Sequence, residues 1–139
     1  MILLDTNVLS ALMRDPAEAV VVAWLNGQDP AEIWTTAINV FEIRLGLSRM
    51  AQSRRRRGLE AAFESFVQVD LAGRVAPLDR AAAEEAGRLA AARQASGRIV
   101  DVQDTFVGGI ALARRAAVAT RNTRHYDDLA TRVVNPWAK

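Results

Sequence analysis

Apolar residues recur along this chain in short runs, separated by stretches of helical length with one apolar face. MILLD, residues 1–5, is an apolar run ending in an acid, the pattern of a strand buried on both faces. EIWTT (32–36), RVAPL (74–78), AVAT (117–120) and Val133-Val134 read as further strands, and Pro77 puts the third at an edge or a strand end. Thr6 or Asn7 is placed to cap a short helix through Met13. Asp15-Pro16 predicts a second helix, with Asp as cap and Pro at the first helical position, ending after Asn26 at Gly27. Helices are expected over 37–50, over 54–67 with Leu59, Ala62, Phe63 and Phe66 on one face, from a cap at Asp79 to Ser96-Gly97, and from Asp101 to Arg115. Gly108 and Gly109 in the last of these predict close packing of that helix on the sheet. Strands alternating with helices predict an α/β fold, a three-layer α/β/α sandwich around a mainly parallel sheet.

With 139 residues the chain suits one domain, 1–139, around a single core. No linker, repeat or low-complexity tract divides it beyond Arg54 to Arg57. The start lacks the basic, apolar and small-residue segments of a signal peptide, and the apolar run from Ala19 to Leu25 is too short for a bilayer. The expectation is a cytoplasmic protein without membrane contact. There is no cysteine, so disulfides and thiolate metal sites are excluded. Arginine carries the positive charge, because Lys139 is the only lysine. Arginine grips phosphate through two nitrogens, which suits nucleic acid; a GC-rich genome gives the same bias.

Four acids draw the chemistry. Asp5 follows the first apolar strand, at the carboxyl end where α/β sheets bind ligands; it is equally placed to cap the helix behind it. Glu42 lies in AINVFEIRLGL, apolar on nearly every side, so a mostly buried carboxylate is expected there. Such a group needs a cation, either a metal or an arginine such as Arg44 or Arg121. Asp101 and Asp104 share one face of a helix's first turn. Capping explains Asp101 equally well. Carboxylates gathered on one sheet edge repel each other unless a cation sits among them. Oxygen ligands without cysteine select Mg2+, with Mn2+ as a substitute. His125, the only histidine, reads as a surface or substrate-side residue.

ILLDTNVLSAL at the start, INVFEIRLGL, DVQDTFVGGIALA, VATRNTRHYDDL and the closing Asn135-Pro136-Trp137 together resemble the PIN-domain family. Within it they are similar to the VapC and FitB group of toxin–antitoxin proteins, over essentially the whole chain. The resemblance implies a divalent-metal endoribonuclease acting as a toxin, with Asp5, Glu42 and Asp104 as the catalytic, metal-holding acids. It implies a cognate antitoxin and a homodimer, built into a higher assembly with that antitoxin. Family members often carry a fourth acid where this chain has Asn122. Asp101 is an additional candidate, and Thr6, Asn7 and Thr120 look like polar neighbours of the site.

Between Glu42 and Glu60 there is no acid, and this stretch holds Arg44, Arg49 and Arg54, Arg55, Arg56 and Arg57. These arginines, with Arg121 and Arg124, are candidate RNA contacts; a solvated helix junction and a docking face for an acidic partner are the other uses. A second functional reading is a catalytically weak protein of the same fold that acts through a DNA-bound complex with its antitoxin. Two phosphate-handling alternatives fail on residues. A receiver domain needs a lysine near the site, and a haloacid-dehalogenase-like phosphatase wants an Asp where Asn7 stands.

Overall fold

The computed structural model describes residues 1–138. Five strands, β1 (Ile2–Leu4), β2 (Ile33–Thr36), β3 (Val75–Ala76), β4 (Ala117–Ala119) and β5 (Val133–Val134), form one sheet in the order β3-β2-β1-β4-β5. Every pairing is parallel, with Ile2 opposite Ile33 and Leu4 opposite Ala119. Six helices surround it: α1 (Thr6–Met13), α2 (Ala19–Asn26), α3 (Ala37–Arg49), α4 (Arg54–Ser65), α5 (Arg80–Ala95) and α6 (Val102–Arg114).

The two-residue period of β1 builds the layers. Ile2 and Leu4 face one core with Val8 of α1, Val21 of α2, Ile43 and Leu47 of α3 and Phe63 of α4. Leu3 faces the other core with Ala82 of α5, Val107 and Ile110 of α6 and Tyr126. All three β1 side chains are buried, as expected of a parallel strand covered on both faces. This is the α/β/α sandwich that the sequence predicts.

The chain leaves β1 towards β2 and β3, then returns to β4 on the opposite side. The carboxyl ends of β1 and β4 therefore flank the point where strand order reverses, the place where such sheets form a crevice.

Three local expectations change. The side chain of Asp5, not that of Thr6 or Asn7, caps α1 by accepting from the Thr6 amide. Helix α2 begins at Ala19 rather than at Pro16. There the Glu18 amide donates to the Ala11 carbonyl at 3.1 Å, so the residues between are spent reversing the chain against α1. The glycines of α6 serve a neighbouring helix rather than the sheet. A Cβ on Gly109 would lie 2.5 Å from the Ala82 carbonyl oxygen and 2.6 Å from the Ala86 Cβ, both in α5. Among the described residues, no helix is long and apolar enough to cross a membrane.

Candidate functional site

Asp5 ends β1 with its side chain buried and fully engaged. Its Oδ1 accepts from the Thr6 amide at 2.9 Å and from Asn39 Nδ2 at 2.9 Å; its Oδ2 accepts from the Thr120 hydroxyl at 2.8 Å. Thr120, just past β4, takes two donors in return, Asn7 Nδ2 at 3.2 Å and the Asn122 amide at 3.0 Å. Asn7 Oδ1 accepts the Arg121 amide at 3.0 Å. Thr6, Asn7 and Thr120 thus lace the ends of β1 and β4 together around the Asp5 carboxylate.

Asn39, fully buried on the first turn of α3, is a member of the site that sequence reasoning misses. The Thr36 hydroxyl donates to its Oδ1 at 2.6 Å, which turns the amide nitrogen towards Asp5 and Thr6. A signal exists: Asn39 stands three residues before Glu42, on the same helix face, in an otherwise apolar segment.

Glu42 is half-buried rather than mostly buried, because Phe41 beside it is 53% exposed and α3 buries only its Asn39, Ile43 and Leu47 face. Its Oε1 accepts from the Thr6 hydroxyl at 3.0 Å. No arginine neutralises it among the described residues. Arg44 pairs with Glu64 at 2.9 Å, and the Arg121 guanidinium stacks over the Trp137 ring at 4.9 Å. Burial pushes the Glu42 carboxyl above the ordinary glutamate range; the Thr6 hydrogen bond opposes this, and the carboxylates of Asp5, Asp104 and Asp101 add to it.

Asp104, on the first turn of α6, is held from the other side. Tyr126, completely buried, donates its hydroxyl to Oδ1 at 3.2 Å, and His125 Nδ1 lies 2.6 Å from Oδ2. Burial again pushes this carboxyl upward, followed by repulsion from Asp101; His125, the first to oppose the shift, pulls the other way. His125 is exposed, as expected of a surface residue, yet it touches an acid of the site. Asp101 caps α6 by accepting the Asp104 amide at 2.9 Å and is exposed. Asn122 is exposed at the head of the 3-10 turn Thr123–Tyr126.

The arginine run divides. Arg54, Arg55 and Arg57 are exposed, and Arg55 lines a groove with Glu42, Met13, Leu47, Met50 and Leu59. Arg56 is structural instead: its Nε meets Glu60 at 3.1 Å and its Nη1 donates to the Met50 carbonyl at 3.0 Å, closing the α3–α4 corner. Arg121 and Arg124 are exposed near the end of β4.

Asp5, Glu42 and Asp104 therefore share one electrostatic neighbourhood, each of the last two feeling the charge of Asp5. Among the described residues no three acidic or histidine side chains converge into a ready coordination shell. The donor chemistry fits a hard divalent cation that keeps part of its own water: carboxylate oxygens, hydroxyl neighbours, no sulfur, and mutual repulsion that a cation relieves.

The chain has clear relatives among known proteins. The sequence model of the PIN domain family matches residues 2–130. The VapC ribonuclease Y4jK of Sinorhizobium fredii is 35% identical over 137 residues, covering 99% of this chain and 98% of that protein. Toxin FitB of Neisseria gonorrhoeae is 31% identical over 137 residues, covering 99% of each. The crystal structure of FitAcB from Neisseria gonorrhoeae superposes with a TM-score of 0.89 at 30% identity, covering all of both chains.

Proposed function

We propose, from the premise that this chain belongs to the PIN-domain family, that it is the ribonuclease toxin of a toxin–antitoxin pair, hydrolysing RNA phosphodiester bonds with a divalent ion. The observation that carries this reading is the trio of carboxylates Asp5, Glu42 and Asp104 near the strand-order reversal, none of them paired with an arginine among the described residues, in a chain 35% identical to a VapC ribonuclease.

In this reading Asp5, Glu42 and Asp104 hold Mg2+, or Mn2+ in its place. When bound, the ion supplies an activated water and positive charge opposite the phosphodiester. The chain's own part is orientation. Asn39, Thr120 and the Thr6 amide fix the Asp5 carboxylate in one rotamer, Thr6 steadies Glu42, and Tyr126 and His125 bracket Asp104. A ligand held this way loses little freedom when it binds. Exposed Arg54, Arg55, Arg57, Arg121 and Arg124 would meet the RNA backbone.

The cognate antitoxin is proposed to lie in the groove between α1, α3 and α4. Met13, Leu47, Met50 and Leu59 offer it an apolar floor, and Glu42 at the groove's edge accepts a basic side chain in place of the ion. Two toxin chains pair in the complete assembly, which light scattering of the purified complex would count.

The test is incubation of the purified chain with structured RNAs in Mg2+, in Mn2+ and in excess chelator. Cleavage in both metals, none in chelator and none by Asp104→Asn is expected. Cleavage that persists in chelator overturns the metal-dependent reading. Absence of cleavage in either metal favours a catalytically weak protein working through its antitoxin complex.

A further inference from the structure

Arg93, near the end of α5, is a buried charge that lines one cavity with Asp101, Asp104 and His125. It is 3% exposed, and all its nitrogens are engaged. Nε and Nη2 form a fork on the two oxygens of Asp128, each at 2.9 Å. Nη2 also donates to the His125 carbonyl at 2.7 Å, and Nη1 donates to the Thr105 hydroxyl at 3.1 Å. Burying a guanidinium costs several kcal/mol unless it is well paired, and here every nitrogen has an acceptor, two of them on a carboxylate. Asp128 is held well on the ionised side, first by the hydrogen bonds from Arg93.

The partners of Arg93 fall on two segments that must meet. Thr105 directly follows Asp104 on α6, and its own hydroxyl donates to the Asp101 carbonyl at 2.7 Å. His125 and Asp128 flank Tyr126 on the turn after β4. Arg93 thus spans the gap across which Tyr126 and His125 reach Asp104. Arg98 reinforces the turn from outside, through Asp127 at 2.8 Å and the Arg124 carbonyl at 3.0 Å.

We propose that Arg93 is a positioning residue for Asp104: by clamping Asp128 and the His125 carbonyl to Thr105, it fixes the separation at which the Tyr126 hydroxyl and the His125 ring orient the Asp104 carboxylate. This rests on the reading that Asp104 holds the metal. An electrostatic strut alone would stabilise the fold without governing the site. A clamp acts through Tyr126 and His125, so once Arg93 is gone, removing the Tyr126 hydroxyl as well adds little to the loss of metal binding.

The experiment measures Mn2+ dissociation constants of the full chain by calorimetry or electron paramagnetic resonance, on variants shown by circular dichroism to be folded. Tyr126→Phe and Arg93→Met each weaken Mn2+ binding by about tenfold, the low end of what removing an outer partner of a metal ligand produces. The double variant is no weaker than Arg93→Met alone. Where Arg93→Met does not fold, Asp128→Asn and Thr105→Val, which each open one arm of the clamp, take its place and are combined with Tyr126→Phe in the same way. Unchanged Mn2+ affinity in the clamp variants, or a double variant weakened multiplicatively by about a hundredfold, overturns the proposal. Asp104→Asn separates the two failures. If it abolishes Mn2+ binding while the clamp variants retain it, only the clamp is wrong. If it binds Mn2+ as tightly as the parent chain, the metal-holding role of Asp104 falls, and the clamp with it.

Discussion

The hydroxyl of Thr120 donates to Oδ2 of Asp5 at 2.8 Å, joining the ends of two adjacent strands that stand 115 residues apart in sequence. Asp5 is thereby a cap, a strand-end tie and a candidate metal ligand at once. Asp5→Asn puts a donor where the carboxylate accepts three hydrogen bonds. It is expected to abolish cleavage and also to cost about 1–3 kcal/mol of stability, the penalty of an unpaired buried donor. Urea denaturation would measure it; a variant as stable as the parent contradicts the tie.

Glu42→Gln acts in the opposite direction on stability. The folded-state carboxyl is pushed upward by burial and by its acidic neighbours, so the folded chain binds this proton more tightly than the unfolded one. Stability from this group therefore falls as pH rises from the ordinary glutamate range through the raised folded value. In chelator near pH 8, Glu42→Gln should melt about 2–4 °C higher than the parent. The gain should vanish below the ordinary glutamate range. Cleavage is abolished at every pH. A lower melting temperature near pH 8 would mean that the Thr6 hydrogen bond outweighs the burial and repulsion.

Asn122→Asp adds charge beside the strand-end network. It is exposed, and its amide already anchors to Thr120. Attraction between opposite charges about 4 Å apart near a protein surface is on the order of 1–4 kcal/mol before desolvation. Calorimetry should report Mn2+ binding several-fold tighter in the Asp variant, with the gain shrinking at acidic pH. An unchanged constant would place position 122 outside the site.

Arg55 and Arg56 are adjacent and should separate cleanly. Arg55→Ala leaves stability unchanged within about 0.5 kcal/mol and weakens RNA binding. The salt slope should fall by about 0.7, the share of a single phosphate neutralised on single-stranded RNA. Arg56→Ala costs about 1 kcal/mol through the Met50 carbonyl it leaves unpaired, with little effect on that slope. Filter binding at several salt concentrations, with denaturation in parallel, distinguishes them.

Gly109→Ala forces a methyl onto α5 backbone atoms 2.5 and 2.8 Å away, which cannot yield as a flexible side-chain end would. A destabilisation of about 1–3 kcal/mol is expected from overpacking. At Gly108 the nearest atom is the Leu89 Cδ2, at 2.7 Å, so Gly108→Ala should cost less. Denaturation of both variants checks the order.

The strands and most helices are legible in the sequence because their signals are local. An apolar run ends in Asp5, Asp79 and Asp101 cap the helices they precede, and Gly97 closes α5 with positive φ. Asp5, Glu42 and Asp104 can be found because each is an acid set against an apolar background. Asn39 carries the same kind of signal, a polar residue in an apolar segment, but its amide points to Asp5, 34 residues away, which the local pattern does not reveal. Tyr126 and Arg93 carry no such signal: Asp104 and Asp128 lie 22 and 35 residues from them, and nothing in the local pattern separates Arg93 in an alanine-rich helix from its solvated neighbour Arg88. The start of α2 is misplaced from sequence because Asp-Pro fits both a helix start and a chain reversal. Only the tie from Glu18 to Ala11, a tertiary interaction, selects between them.

The order β3-β2-β1-β4-β5 puts the first strand at the centre, against a partner near the far end of the chain. Thr120 and Tyr126, which complete the setting of Asp5 and Asp104, lie just beyond β4. A chain that has paired β1 with β2 but not yet docked β4 holds Asp5 without its Thr120 tie, so the proposed site takes its final orientation only when the sheet closes on its fourth strand.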